Sequence, residues 1–256
     1  MFFYHNVLIH SFCKFNMTTV AIIQARMGSN RLPGKTMKDL CGKPILHHII
    51  DFLKFSKMIE KIVIATTNLE EDDVIDSLAK KLKIESFRGD SENVLERFYK
   101  CAKKFDADLI IRLTADNPLI DVNIIDELID TCKNSNYDYV SNCLHSTYPY
   151  GFSTCEVITF STLTKLYQNQ KDSKSLEHVT SFITENPHLF NVFEIKAPHN
   201  LSRPTWKLSV DTIDDYYKIQ KIFINLYKEN SFIDYELLVK FLDNNKQIVE
   251  SDFKNN

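Results

Sequence analysis

From Thr18 onward, short apolar runs alternate with stretches in which apolar positions recur every three or four residues. Residues 20–25 (VAIIQA), 61–66 (KIVIAT), 84–87 and 108–113 read as buried strands. Between them, helical spacing covers residues 44–55, with Ile45, Ile49 and Leu53 on one face, then 70–82 and 92–105. Strands that are apolar on both faces and separated by helices predict βαβ units and a mostly parallel, doubly wound α/β sheet.

After a helix at 122–133 the order loosens. Residues 137–142, 154–159, 190–196 and 206–210 read as strands, and 177–185, 213–227 and 235–242 as helices. The segment of about 143–205 reads as an antiparallel-leaning excursion that could bind an acceptor. No repeat or linker divides the chain, so residues 17–245 are expected to form one domain, followed by a tail at 246–256. Residues 1–16 mix aromatic and polar side chains without a sustained apolar run, which predicts neither a signal peptide nor a membrane span. Met17 stands just before the first strand, and the residues ahead of it are expected to be a loose extension.

Composition narrows the function. With 31 Lys and Arg against 34 Asp and Glu, a net charge of −3 excludes a polybasic nucleic-acid scaffold. At 44% hydrophobic and 25% charged, the 256-residue chain belongs with ordinary globular proteins rather than disordered ones. The six cysteines are widely spaced with no C-x-x-C pair, predicting reduced thiols in a cytoplasmic protein. His47 and His48 are neighbours, so on a helix they diverge by about 100° and make no same-face metal pair. Only five glycines occur, and Gly28, Gly34 and Gly42 fall close together.

That cluster marks the first strand's end, in the run Gln24-Ala25-Arg26-Met27-Gly28-Ser29-Asn30-Arg31-Leu32-Pro33-Gly34-Lys35. Ligands of open α/β sheets bind beyond the carboxyl ends of strands. Glycines let backbone N–H groups converge on phosphate oxygens, and Arg26, Arg31 and Lys35 add charge, which predicts a triphosphate site. Gly34-Lys35-Thr36 also ends like a P-loop, but Ser29 stands where that motif needs its first glycine, and Gly42 and Pro44 delay the next helix. A merely solvated basic loop is the third alternative.

Asp116 follows the strand 108–113, and Asp211 follows 206–210. Both would reach the same crevice, where a hard divalent ion bridging phosphate oxygens needs carboxylates. Alternatively Asp116 caps a turn before Pro118, and Asp211 caps the helix near Ile213.

The ordered set IIQARMGSNRLPGK, KIVIATT, FRGDSENVLERF, IIRLTADNPLID, EHVT and LSVDT resembles the cytidylyltransferases of the spore-coat polysaccharide biosynthesis protein F type. These are related to the acylneuraminate and 3-deoxy-manno-octulosonate cytidylyltransferases. The resemblance covers about residues 18–227. It implies a Rossmann-like nucleotidyltransferase fold that joins a sugar acid or sugar phosphate to CMP from CTP, releases pyrophosphate, uses Mg²⁺ and forms a homodimer. It assigns Arg26, Gly28, Ser29, Arg31 and Lys35, with Ala25 beside them, to the triphosphate. Asp116 and Asp211 fall to Mg²⁺, and Thr66, Thr67, Arg88 and Asn93 to the pyrimidine's surroundings. The partners implied are CTP and a sugar acceptor, with no nucleic acid and no membrane. A nucleotidyltransferase for another nucleoside triphosphate, or a nucleotide-binding relative without turnover, stays open.

Three departures concern the acceptor. Ala115 replaces the family's glycine, Asn117 its commoner cysteine, and Gly151-Phe152-Ser153-Thr154-Cys155-Glu156-Val157 is one residue longer and lacks the first acid of the family's stretch. Glu156, His178 and Arg203 are the expected acceptor contacts.

Overall fold

The computed structural model describes residues 17–145, 147–170 and 172–249. The expected extension at 1–16 and most of the expected tail lie outside the described residues. Strand β1 (Thr19–Gln24) runs through the middle of the molecule, and both of its faces are covered. Ala21 and Ile23 pack into one helical layer, Val20 and Ile22 into the other. A tight antiparallel pair, β2 (Asp39–Leu40) and β3 (Lys43–Pro44), turns through Cys41 and Gly42, both at positive φ. It leads into α1 (Ile45–Leu53), and then come β4 (Lys61–Thr67), α2 (Asp73–Leu82), β5 (Glu85–Gly89), α3 (Val94–Lys104), β6 (Leu109–Thr114) and α4 (Val122–Lys133).

The second half contributes β7 (Tyr139–Ser141), β8 (Glu156–Thr159), α5 (Phe160–Asn169), α6 (Ser173–Glu177), α7 (Ser181–Glu185), β9 (Val192–Glu194), α8 (Ile213–Leu226) and α9 (Tyr235–Asn244). The main sheet has seven strands in the order β5-β4-β1-β6-β8-β7-β9. The first four are parallel, while β8 runs antiparallel to both β6 and β7. The chain therefore leaves β1 for β4 on one side and reaches β6 on the other, which places a switch point at the carboxyl end of β1. Helices α1, α2, α4, α8 and α9 cover one face of the sheet, and α3, α5 and α7 the other. No helix among the described residues is long and apolar enough to cross a membrane.

Four sequence expectations change. Helix α5 was not expected, because four of the ten residues of FSTLTKLYQN are β-branched or aromatic. It forms because the Thr159 side chain accepts the Thr162 N–H at its start while Leu163 and Leu166 dock on the core. The helix expected at 177–185 is two short ones, interrupted where the Thr180 hydroxyl turns inward to Glu156. Residues 206–210 run extended but form only an isolated bridge, Tyr150 to Lys207, because their neighbours are irregular segments. Gly151 lies so close that an added Cβ would meet the Ser209 nitrogen at 2.4 Å. The start of the expected tail is ordered: a 3-10 turn, Lys246–Ile248, follows α9, and Val249 is 2% exposed in the core.

Candidate active site

The loop after β1 folds back on itself. The Met27 carbonyl accepts N–H groups from Ser29 at 2.8 Å and Gly34 at 2.9 Å, with Gly34 at φ +69°. Its start is pinned from below: the Met27 N–H donates to Asp72 at 2.7 Å, and Asp72 is fully buried while also taking the Thr67 N–H and hydroxyl. A side chain at position 28 would strike Glu71, since an added Cβ comes within 2.8 Å of its carboxylate. Lys35 opens a three-residue 3-10 turn, Lys35–Met37, and the chain goes on to the β2–β3 hairpin. A P-loop lysine sits at the start of an α-helix, so the P-loop alternative fails on geometry.

Opposite the loop stand the carboxylates of Asp116, just past β6, and Asp211, after the extended segment 206–210. The Lys35 ammonium donates to Asp116 Oδ2 at 2.8 Å, to the Val210 carbonyl at 2.8 Å and to Asp211 Oδ1 at 3.2 Å. Arg31 reaches the same Asp211 oxygen at 3.0 Å, and the Ser209 hydroxyl donates to the other at 2.9 Å. Lys207 lies 3.4 Å from Asp211 and 2.6 Å from Asp215. Burial pushes the Asp211 carboxyl up, but the Lys35 charge, the Ser209 hydroxyl and the Lys207 charge outweigh it and hold it below the usual carboxylate range. Burial pulls the Lys207 ammonium down, but its bond to Asp215 prevails and raises it. Asp211 does not cap α8: Thr212 does, in a reciprocal box with Asp215. The Asp116 carboxylate accepts from Lys35 and from the Thr114 hydroxyl at 2.6 Å, so it holds its own strand end rather than a turn.

Two adjoining cavities open here. One, of about 320 Å³, is walled by Arg26, Ser29, Arg31, Lys35, Asp116, His178 and Asp211, all singled out from the sequence. The other, of about 540 Å³, has Gly28, Thr67, Asn93, Ser91 and Asp72 on its walls. Arg26, Asn30 and Glu177 border both, so the two adjoin across the glycine loop.

Other expected residues stand elsewhere. Ala25 and Thr66 are buried beneath the loop, the former donating its N–H to the Ala65 carbonyl. Arg88 braces the segment after β4, binding the Thr67 and Leu69 carbonyls and Asp73. Two of the three expected acceptor residues, Glu156 and Arg203, line neither cavity, whereas His178 lines the first. Glu156 is 5% exposed, with its oxygens taken by Arg112, Tyr139 and Thr180. Arg203 is held by Asp243 and lies over Trp206, away from both cavities. Sequence reasoning missed Gln24, Asn30, Thr114, Asp72, Glu177 and Lys207. Gln24 and Thr114 could have been found as the last residues of strands meeting at a switch point, whereas Asp72 and Lys207 carry no such positional signal.

A cation-rich loop at the switch point of the sheet, facing two carboxylates, makes a crevice suited to phosphate groups. The family model described as cytidylyltransferase matches residues 20–253, and the chain belongs to that family. It is 39% identical over 91% of its length to an uncharacterised protein of Methanocaldococcus jannaschii, covering 93% of that protein. It is also 34% identical over 79% of its length to the spore coat polysaccharide biosynthesis protein SpsF of Bacillus subtilis, covering 85% of it. A solved cytidylyltransferase from Leptospira borgpetersenii superposes with a TM-score of 0.85 at 33% identity, over 91% of this chain and 97% of that one.

Proposed function

We propose that this chain transfers CMP from CTP to a sugar acid or sugar phosphate with release of pyrophosphate. One observation carries the reading: the cavity that gathers Arg26, Arg31 and Lys35 against Asp116 and Asp211 adjoins a roomier one in which Gly28, Ser91 and Asn93 stand beside the carboxylates of Glu71, Asp72, Glu92 and Glu177. A triphosphate belongs in the first and a nucleoside in the second, with Arg26 and Asn30 between them. Thr67 and Asn93 stand on the wall of the second cavity, where a pyrimidine would lie, and the Gly28 backbone leaves room for the nucleotide. The names of relatives agree with the acceptor class. 3-deoxy-manno-octulosonate cytidylyltransferases, such as that of Trichlorobacter lovleyi at 35% identity, match over 44% of this chain and of their own.

In this reading an acceptor hydroxyl attacks the α-phosphorus. The new P–O bond forms as the bond to the β-phosphate oxygen breaks, and the hydroxyl proton is lost to solvent. No nucleophilic side chain is needed, because the protein works by alignment and charge. Arg26, Arg31 and Lys35 hold the β- and γ-phosphates and take up the charge that develops on the leaving pyrophosphate. His178, on the wall of the first cavity, faces the acceptor.

Asp116 and Asp211 would hold Mg²⁺. The fit rests on their sharing one cation already, through Lys35, and on the ion's habit of taking one or two carboxylates and completing its shell with phosphate oxygens and water. When bound, the ion withdraws charge from the phosphate oxygens. Pyrophosphate release, measured with each of the four nucleoside triphosphates and a panel of sugar acids and sugar phosphates, tests the proposal. Turnover that requires CTP and one sugar class is expected, and release with no triphosphate–acceptor pair would overturn it.

A further inference from the structure

The Lys35 ammonium stands between the Asp116 and Asp211 carboxylates. An ammonium has three protons, and here each has an acceptor within 3.2 Å: Asp116 Oδ2, Asp211 Oδ1 and the Val210 carbonyl. The two carboxylate oxygens that face each other are the ones it uses. Their partners across each carboxylate are held by neutral hydroxyls, Thr114 on Asp116 and Ser209 on Asp211, with Lys207 3.4 Å from the latter. Arg31 is the other cation on Asp211 Oδ1, but its side chain is 67% exposed and free to swing, whereas that of Lys35 is 14% exposed and seated. A divalent ion on both carboxylates needs those inward oxygens at about 2.0–2.1 Å. It cannot share them with an ammonium, because the two cations would stand within a few ångströms of each other.

We infer that Lys35 is the resident occupant of the ion site in the free protein, and that the ion enters only once a triphosphate draws the ammonium away. The inference rests on the reading of Asp116 and Asp211 as ion ligands. It makes the lysine a relay: its charge balances the two aspartates when the cavity holds no nucleotide and moves to the phosphates when it does. Nucleotide and ion then bind with positive coupling, and the coupling is reciprocal. The lone enzyme would accordingly take up divalent ions poorly at concentrations that saturate it in the presence of CTP.

Mn²⁺ binding to the full-length protein, followed by electron paramagnetic resonance in the absence of acceptor, tests this without any turnover. Without nucleotide, Lys35→Met should bind Mn²⁺ about tenfold or more tightly than the unaltered protein, and Lys35→Met/Asp211→Asn should lose the gain. Lys35→Gln provides a second variant with a neutral polar side chain, and thermal midpoints report whether each variant folds. Equal Mn²⁺ affinity of the unaltered protein and both lysine variants overturns the inference. The underlying reading fails separately: if CTP promotes Mn²⁺ binding and Asp116→Asn or Asp211→Asn leaves that binding unchanged, the aspartates are not the ion's ligands. If those substitutions abolish it while the lysine variants gain nothing, the aspartates hold the ion and Lys35 is not its rival.

Discussion

Asp211 receives Lys35, Arg31, Lys207 and Ser209 within one small volume, and its carboxylate is the most heavily engaged group in the cavity. Replacing it with Asn keeps the shape and removes the charge. Asp211→Asn is expected to lower kcat by about 10²–10³-fold, the scale of losing one preorganised electrostatic contact, while its thermal midpoint stays within a few degrees. Steady-state kinetics and a melting curve check both halves, and unchanged kcat would remove Asp211 from the machinery. Arg26, Lys35, Asp116 and Asp211 were legible because charge at the carboxyl end of an apolar run has few structural uses. Lys207 was not, since it follows Trp206 within a segment whose extended course is set by Tyr150 and Asp116: the Tyr150 N–H donates to the Trp206 carbonyl and the Val210 N–H to the Asp116 carbonyl. Glu156 misled for the opposite reason. An acid in the excursion suggested a sugar contact, yet it lies opposite Arg112 in the sheet and is spent there.

That pair belongs to the elements. Arg112 of β6 and Glu156 of β8 are register partners across the antiparallel joint, and Tyr139 of β7 and Thr180 ahead of α7 close on the same carboxylate. Burial pushes the Glu156 carboxyl up, but the Arg112 charge and the two hydroxyls prevail and hold it below its ordinary value. Removing one partner leaves a buried charge without an answer. Arg112→Met should therefore cost about 3–5 kcal/mol, and Arg112→Met/Glu156→Leu should recover much of it. Urea unfolding of both decides, and a single variant as stable as the parent would show that the network does not fasten β8 to the sheet. At the start of α8, Thr212→Ala removes the capping box and should cost about 1 kcal/mol in the same assay. The parallel strands were readable because both faces of β1, β4 and β6 are apolar. The hairpin β2–β3 was not, because two-residue strands show no alternation and only the turn residues Cys41-Gly42 mark it.

For the molecule as a whole, the two-layer core sets stability and the switch point sets function. His48 ties α1 to α8: it is fully buried, contacts Phe223 and Tyr227 with ring centroids 4.9 and 4.8 Å away, and shares a hydrogen bond with the Leu40 carbonyl. Burial holds its pKa below the ordinary 6.5, more strongly than the Leu40 bond raises it, with Lys43 adding to the lowering. The unfolded ring thus takes up its proton first as pH falls, so stability is full above about pH 6.5 and is lost below it, by up to about 1.4 kcal/mol per pH unit. His47, lowered by burial as well, adds to the same limb. His48→Gln should flatten the dependence of the thermal midpoint between pH 7 and 5, and an unchanged slope would assign the limb to other groups. Glu156 and Asp211, both held low, act further down: their contribution is present above the ordinary carboxylate pKa and disappears as pH falls through their lowered values.

In the proposed reaction the bond broken lies between the α- and β-phosphates. Incubation with acceptor and CTP labelled separately at the α and γ positions reads it out. The α label should enter the sugar product as CMP and the γ label should leave in intact pyrophosphate. Transfer of the γ label to the acceptor, or its release as free phosphate with formation of CDP, would contradict the account.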